Sequence, residues 1–192
     1  MRRGGGFYTG AGKVAPMKRL LKWLVVAVGI IALVVFGGGM LMPSQVSVSR
    51  GLVINASPEK IFPHVANLKA FNVWSPWADL DPDMKVEFSG TDDGVGQVMS
   101  WESDDMGKGS MKVTESVTGE KLVTALDFGQ MGSAFAQFDL VPQAGGTKVT
   151  WSMTSELGNN PIARWFGPMI KSNVTEQYDK GLAKLRVVAE GE

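Results

Sequence analysis

The side chains best suited to chemistry in this chain are few: one histidine, His64, no cysteine, and a scatter of carboxylates. A thiol nucleophile is absent, and none of the serines sits in a nucleophile signature such as Gly-x-Ser-x-Gly that His64 could serve. Asp79-Leu80-Asp81-Pro82-Asp83 has the spaced acids that open a calcium loop. Its sixth position is Met84 instead of glycine and its twelfth is Gly90 instead of glutamate, so it reads as a solvated turn. Gly107-Lys108-Gly109-Ser110 puts lysine after glycine as a phosphate loop does, but the upstream glycine would fall at Glu102, and the segment reads as a hairpin turn. Glu102, Glu115, Asp127, Asp139 and Glu156 lie in strand-like segments, mostly at the parity opposite to the apolar residues, as on a solvated outer face. No catalytic residue, metal ligand or cofactor is assigned on these grounds.

The elements that would position any site follow from periodicity. Residues 44–55 alternate Val46, Val48, Leu52 and Ile54 with polar neighbours, as a half-buried strand does. Ser57-Pro58-Glu59 then signals a helix start with Ser57 as cap, followed by an apolar stripe of Ile61, Phe62 and Val65 and limited by Pro63. Leu68, Phe71 and Trp74 mark a second short helix before Pro76. From there the period is two, with strands predicted at 84–89, 97–102, 109–116, 121–128, 134–141 and 147–155, separated by short Asp- and Gly-rich turns that force an antiparallel meander. Asn160-Pro161 opens a long amphipathic helix, in which Gly167-Pro168 predicts a break or kink. The fold class is α+β: a curved antiparallel sheet around a long C-terminal helix.

Ahead of this domain, Trp23 to Met42 runs twenty residues without a charge. As a helix it is about 30 Å long, the thickness of a bilayer's hydrocarbon core. Arg2, Arg3, Lys13, Lys18, Arg19 and Lys22 precede it with no acid among them. Basic flanks stay cytoplasmic, so the expected order is a disordered basic arm over 1–19, a membrane span over 20–42 and a single domain over 43–192 delivered outside the cytoplasm, to the periplasm in a bacterium. Residues 37–43 hold no Ala-x-Ala cleavage pattern, and the absence of cysteine excludes a lipid-modified one, which favours an uncleaved anchor over a signal peptide. The net charge of zero conceals this division, because all nineteen acids follow Pro43 against thirteen Lys and Arg. An acidic outer domain is a poor partner for nucleic acid.

The order of elements, with INASPEKIFPHVANLKAFNVWSPWADLDP early, GVGQVMSWESDDMGKGSMKVTESV in the middle and GGTKVTWSM before the last helix, resembles the START-like superfamily. Within it the similarity is to the polyketide cyclase/dehydrase-like group of SRPBCC proteins, over about Val46 to Ala189. The resemblance implies a helix-grip fold with a hydrophobic cavity beneath the C-terminal helix, used by various members for lipids, sterols, quinones, plant hormones or polyketide intermediates.

Strand parity names the candidate lining of such a cavity. Met99 and Trp101 share a face, as do Met111 and Val113, Phe138 and Leu140, and Trp151 and Met153. Val174, Tyr178 and Leu182 face them from the helix, with Trp74 and Trp77 around Ser75-Pro76 at the rim. Repeated methionine beside tryptophan suits a pocket that adapts to apolar guests. Three readings follow in order: an anchored module binding a lipid or other hydrophobic small molecule; a cyclase- or dehydratase-like enzyme in which Tyr178 or Glu102 supplies a polar group; and an interaction domain with a filled cavity, whose Trp74 and Trp77 meet a protein partner.

Overall fold

The computed structural model describes residues 15–191. Most of the predicted basic arm, 1–14, lies outside the described residues. The chain begins with helix α1 (Ala15–Ala32), passes through a π-helical turn (Leu33–Gly37) and ends this rod in α2 (Gly38–Leu41). Met17–Leu41, 25 residues, is long and apolar enough to cross a membrane, and nearly all of it is exposed.

Seven strands follow: β1 (Gln45–Ile54), β2 (Lys85–Ser89), β3 (Val98–Ser103), β4 (Gly107–Val117), β5 (Lys121–Asp127), β6 (Ser133–Gln143) and β7 (Gly146–Glu156). They form one antiparallel sheet in the order β1-β7-β6-β5-β4-β3-β2. The meander from β2 to β7 is what turns of a few residues permit, and β1 closes it by pairing with β7 from Gln45 opposite Glu156 to Ile54 opposite Thr147. In β4 the register slips between Val113 and Glu115, leaving Thr114 as a bulge, so that beyond it Ser116 and not Glu115 shares the inner face with Leu122.

The helices pack on the inner face. α3 (Pro58–Ala66) starts at Ser57, whose backbone is extended as a cap requires, but its side chain makes no capping bond. Ser57 is instead hydrogen-bonded to the Glu59 carboxylate, which holds that carboxyl below its usual range. α4 (Leu68–Trp74) is capped by Asn67, whose Oδ1 accepts from Lys69 N–H at 3.0 Å and Ala70 N–H at 3.1 Å. α5 (Pro161–Glu190) is capped by Asn160 in the same manner. The predicted break at Gly167-Pro168 is absent: α5 is one helix of 30 residues. The Pro168 ring is exposed and Gly167 lies against Leu157 and Val46, so packing retains the helical path across one missing hydrogen bond.

The strand registers put Gln45, Lys85, Ser103, Gly107, Asp127, Ser133 and Glu156 at one end of the sheet, the end where the N-terminal rod enters. α5 starts at that end and runs to the other, where the Asn55 N–H donates to Glu190 Oε1 at 2.9 Å. The far end is packed solid, with Ile54, Ile61, Val149 and Leu185 fully buried. Midway, α5 approaches the sheet at Gly181, where an added Cβ would sit 2.8 Å from Trp151 Cζ3 and 3.1 Å from Pro76 Cδ.

Glycine to alanine inside a helix ordinarily stabilises by about 1 kcal/mol. At Gly181 the sign reverses, because the new methyl meets a tryptophan pinned on its other sides: Gly181→Ala costs about 1–3 kcal/mol. Denaturant unfolding of the full chain reads this as a lower midpoint at unchanged slope, and an unchanged or higher midpoint would refute the close approach.

Candidate functional site

The end of the domain nearest the rod is hollow. A cavity of about 270 Å³ lies between the concave face of the sheet and helices α3, α4 and α5. Its wall takes Met99 and Trp101 from β3, Met111 from β4, Phe138 from β6, and Trp151 and Met153 from β7. Val174 and Tyr178 of α5 face them, and Trp77 contributes from the single turn after Pro76. The other inward candidates lie elsewhere. Leu140 and Leu182 are displaced along their elements toward the solid end and are buried, while Val113, level with the wall residues Thr124, Ala136 and Met153, is fully buried in the sheet and does not line the cavity. Trp74 is buried in α4 and donates its indole N–H to the His64 carbonyl at 2.9 Å, tying α4 to α3. Strand parity put Val113 and Leu140 on the inner face, and depth along the fold separates Leu140 and Leu182 from the wall; Trp74, expected in a loop at the rim, belongs instead to the buried face of α4.

Several wall residues were not singled out from the sequence. Val65, Leu68, Phe71, Asn72 and Ser75 come from α3, α4 and the turn after it, and Leu122, Thr124, Leu126 and Phe128 from β5 and its end. The β5 set keeps strict parity and could have been found. Met106, in a turn at the hollow end, carries no periodic signal, and Met84, expected as the first residue of a strand, lies just before β2 at the same end.

Trp151 organises the wall. It stacks on Tyr178 with ring centroids 3.8 Å apart and planes 10° apart, and on Phe138 at 4.7 Å and 23°. Phe71, Trp74 and Trp77 meet it edge-on at 5.9, 5.6 and 5.5 Å. Trp101 folds across Gly109 of the neighbouring strand, where any Cβ would overlap its ring, and meets Phe128 edge-on at 6.0 Å. Glycine at 109 is what lets the ring lie flat along the wall.

The wall's polarity is sparse. Among the described residues, no Asp, Glu, His, Lys or Arg lines the cavity. Its polar members are Asn72, Ser75, Thr124, Tyr178 and the indoles of Trp77, Trp101 and Trp151. Asn72 Oδ1 and Trp151 Nε1 are buried with no hydrogen-bond partner in the protein, an acceptor and a donor on the same cavity. Burial pushes the Tyr178 phenol well above its ordinary pKa, so at neutral pH it is a protonated donor and not a base. Glu102, named from the sequence as a polar group for catalysis, lies on the outer face instead. It is paired to Lys108 at 2.8 Å, and that contact lowers its pKa.

The remaining chemical candidates are structural. Asp79 pairs with Lys184 of α5 at 2.6 Å, while Asp81 accepts from Ser103 Oγ at 2.6 Å and from the Asp83 N–H at 3.1 Å. Among the described residues no group of three acidic, histidine or cysteine side chains could hold a metal ion.

The sequence profile of the family described as polyketide cyclase / dehydrase and lipid transport matches residues 45–190, and the chain belongs to that family. No curated protein gives a significant sequence match. Among solved structures, protein CV1439 from Chromobacterium violaceum is 18% identical with a TM-score of 0.54, covering 78% of this chain and 99% of its own. The Aha1 dimer from Colwellia psychrerythraea is 19% identical with a TM-score of 0.54, covering 76% and 96%. The di-domain ARO/CYC StfQ from the steffimycin biosynthetic pathway is 13% identical with a TM-score of 0.59, covering 97% of this chain and 63% of StfQ. At these identities the likeness is one of fold, and the fold is the helix-grip arrangement of a curved antiparallel sheet around a long C-terminal helix.

An unpartnered buried acceptor is a cost that an apolar replacement of similar shape removes. Asn72→Leu is expected to stabilise the ligand-free chain by about 1–3 kcal/mol, read as a higher unfolding midpoint. A loss of stability of that size would show that the amide is already satisfied.

Proposed function

We propose that this member of the polyketide cyclase / dehydrase and lipid transport family is a membrane-anchored binding protein whose cavity takes a lipid or other hydrophobic small molecule carrying one polar group. The observation that carries the reading is the wall itself: an uncharged, aromatic- and methionine-rich cavity with one unpaired amide oxygen and one unpaired indole N–H. Apolar surface gives such a site its affinity, and a few placed polar groups give orientation. The Asn72 acceptor and the Trp151 donor suit a hydroxyl or carboxylic acid at the end of an apolar body. Methionine side chains at 84, 99, 106, 111 and 153 let the wall follow the guest's shape.

The anchoring part of the reading rests on the rod and on its junction with the domain. A signal sequence and a membrane span share the length and composition of Met17–Leu41. The junction favours retention. Arg164, 9% exposed, donates from Nη1 to the carbonyls of Met40 at 3.3 Å and Met42 at 3.5 Å, and from Nε and Nη2 to Gly158 O at 3.0 and 2.9 Å. The Leu157 N–H donates to Ser44 O at 2.7 Å. Removing the rod would strip a nearly buried guanidinium of carbonyls at a helix C-terminus, where a positive charge is favoured. The basic residues before the rod put its start in the cytoplasm and the cavity domain outside it, in the periplasm if the cell is bacterial.

A second reading keeps the same cavity for a cyclase- or dehydratase-type reaction, with the neutral Tyr178 phenol as hydrogen-bond donor to a substrate folded by the wall. StfQ, named as an ARO/CYC protein, has this fold. The binding reading stands first because the wall offers no group that would be ionised at neutral pH to move a proton. The volume between sheet and helices supports a binding cavity over an interaction domain with a filled interior.

Native mass spectrometry of the full chain released from detergent is expected to show a stoichiometric apolar adduct, identified by extraction. Ala136, a wall residue in β6, supplies the control: Ala136→Leu occupies the cavity and should weaken the adduct by about 10-fold or more, equivalent to about 1.4 kcal/mol. A clean mass after incubation with a membrane lipid extract would overturn the binding reading. Orientation is read separately: a reporter active only outside the cytoplasm, fused after Glu192, should be active, and activity of a cytoplasm-only reporter would reverse the topology.

A further inference from the structure

The first two turns of α5 invert the order expected of a helix on a soluble domain. Arg164 and Gly167 are buried against the domain, while Ile162, Trp165, Phe166 and Met169 are between 41% and 55% exposed. Those four fall at i, i+3, i+4 and i+7, a single apolar stripe turned outward. No acid occurs between Glu156 and Glu176, whereas Arg164 and Lys171 fall inside that stretch.

The stripe continues the surface of the apolar rod. The Trp165 indole N–H donates to the Val35 carbonyl, in the π-helical turn, at 2.9 Å. Close approach is possible because glycines face α5: a Cβ on Gly38 would lie 2.8 Å from Trp165 Cζ2, and one on Gly39 would overlap Pro161. Val35 lies six residues before Leu41, the end of the apolar segment, so Trp165 sits about 9 Å below that end at 1.5 Å rise per residue. Interfacial helices bury their apolar face about 5–10 Å into the boundary between headgroups and acyl chains.

We propose that the outward stripe of Ile162, Trp165, Phe166 and Met169 is a foot that lies in the bilayer interface beside the span, and that the cavity takes its guest from that bilayer. This rests on the anchoring and binding readings above. The rod alone would tether the domain at a point; the foot fixes its tilt. Five residues beyond Met169 the same helix places Val174 on the cavity wall, about 7.5 Å along its axis. The loops carrying Met84 and Met106 stand at the same end of the sheet, so the hollow end is the one turned to the lipid and the solid end faces away. A lipid or other apolar molecule would then pass from the interface into the cavity without crossing bulk water.

The chain has no cysteine, so single cysteines can be placed and spin-labelled without background. Phe166→Cys and Met169→Cys report on the foot, Val28→Cys on the span, and Val187→Cys, a 69% exposed position on the last turns of α5, on the solvent. In the full chain reconstituted into phosphatidylethanolamine/phosphatidylglycerol vesicles, labels at 166 and 169 are expected to match that at 28: accessible to oxygen and shielded from an aqueous nickel chelate. The label at 187 should show the reverse. Chelate access at 166 and 169 with shielding at 28 would overturn the foot and leave the anchor intact. Chelate access at 28 would overturn the anchor and the foot together. Shielding of 166 and 169 from both reagents, with dipolar broadening between chains, would assign the stripe to a second copy and also overturn the proposal. The unsubstituted chain gives an independent reading: a diazirine-bearing phospholipid should crosslink within 162–169 as well as within 17–41, and crosslinks confined to 17–41 would count against the foot.

Discussion

The stack of Trp151 on Tyr178 is the contact on which the rest of the domain depends. It joins the middle of β7 to the middle of α5, and it forms only because Gly181, one turn beyond Tyr178, leaves room for the indole edge and for Pro76. A stacked aromatic pair contributes about 0.5–1.5 kcal/mol beyond the area it buries. Its larger effect is geometric. With α5 held to the sheet at this one level, the elements converge toward Leu185 and Ala189 on one side and diverge toward Val174 on the other. The solid core and the cavity are thus consequences of the same pin. The edge-on contacts of Phe71, Trp74 and Trp77 fix the indole from the helical side, so the wall has a rigid aromatic floor under a softer rim of methionine.

The junction of rod and domain follows a different logic, in which polar groups are satisfied inside a mainly apolar contact. A helix end leaves carbonyls without partners, and burying them would be costly. Arg164 answers this by donating to Met40 and Met42 on one side and to Gly158 on the other, so one guanidinium closes both the rod and the loop before α5. Its charge has no carboxylate partner among these contacts and rests on carbonyl dipoles, an arrangement suited to a helix C-terminus. The three consecutive glycines at 37–39, which do not make a Gly-x-x-x-Gly pattern, have a use within the chain: two of them admit Trp165 and Pro161.

Taken together, the two contacts give the chain a polarity. Charge pairs and acidic side chains occupy the outer face of the sheet, as at Glu102 with Lys108 and Glu115 with Lys121, and the cavity wall holds none. A family whose description joins cyclases, dehydrases and lipid transport shares one fold across different chemistries, so function has to be argued from the wall and its setting. Here the wall is apolar with two orphaned polar atoms, and its setting is the end of the domain beside an apolar helix.

Much of this was legible in the sequence. Alternation placed every strand and assigned Met99, Trp101, Met111, Phe138, Trp151 and Met153 to the inner face, because side-chain parity is a local property of a strand. The uncharged run before the domain and the Asn160-Pro161 start of α5 were equally local. Parity could not say how far each inward residue stands from the layer opposite, so Leu140 and Leu182 were grouped with the wall although the convergence of α5 and the sheet buries them, and so was Val113, which is fully buried level with the wall. Nor could it foresee Asn72 as an orphaned acceptor, the bulge at Thr114, or the loop methionines at 84 and 106, since each depends on what another element brings near. The start of α5 marks the limit most clearly. Its sequence reads as an ordinary amphipathic helix, and only the tertiary structure turns Arg164 inward to the rod's carbonyls and Trp165 and Phe166 outward, because burial is decided by the neighbour a face meets and not by the side chains it carries.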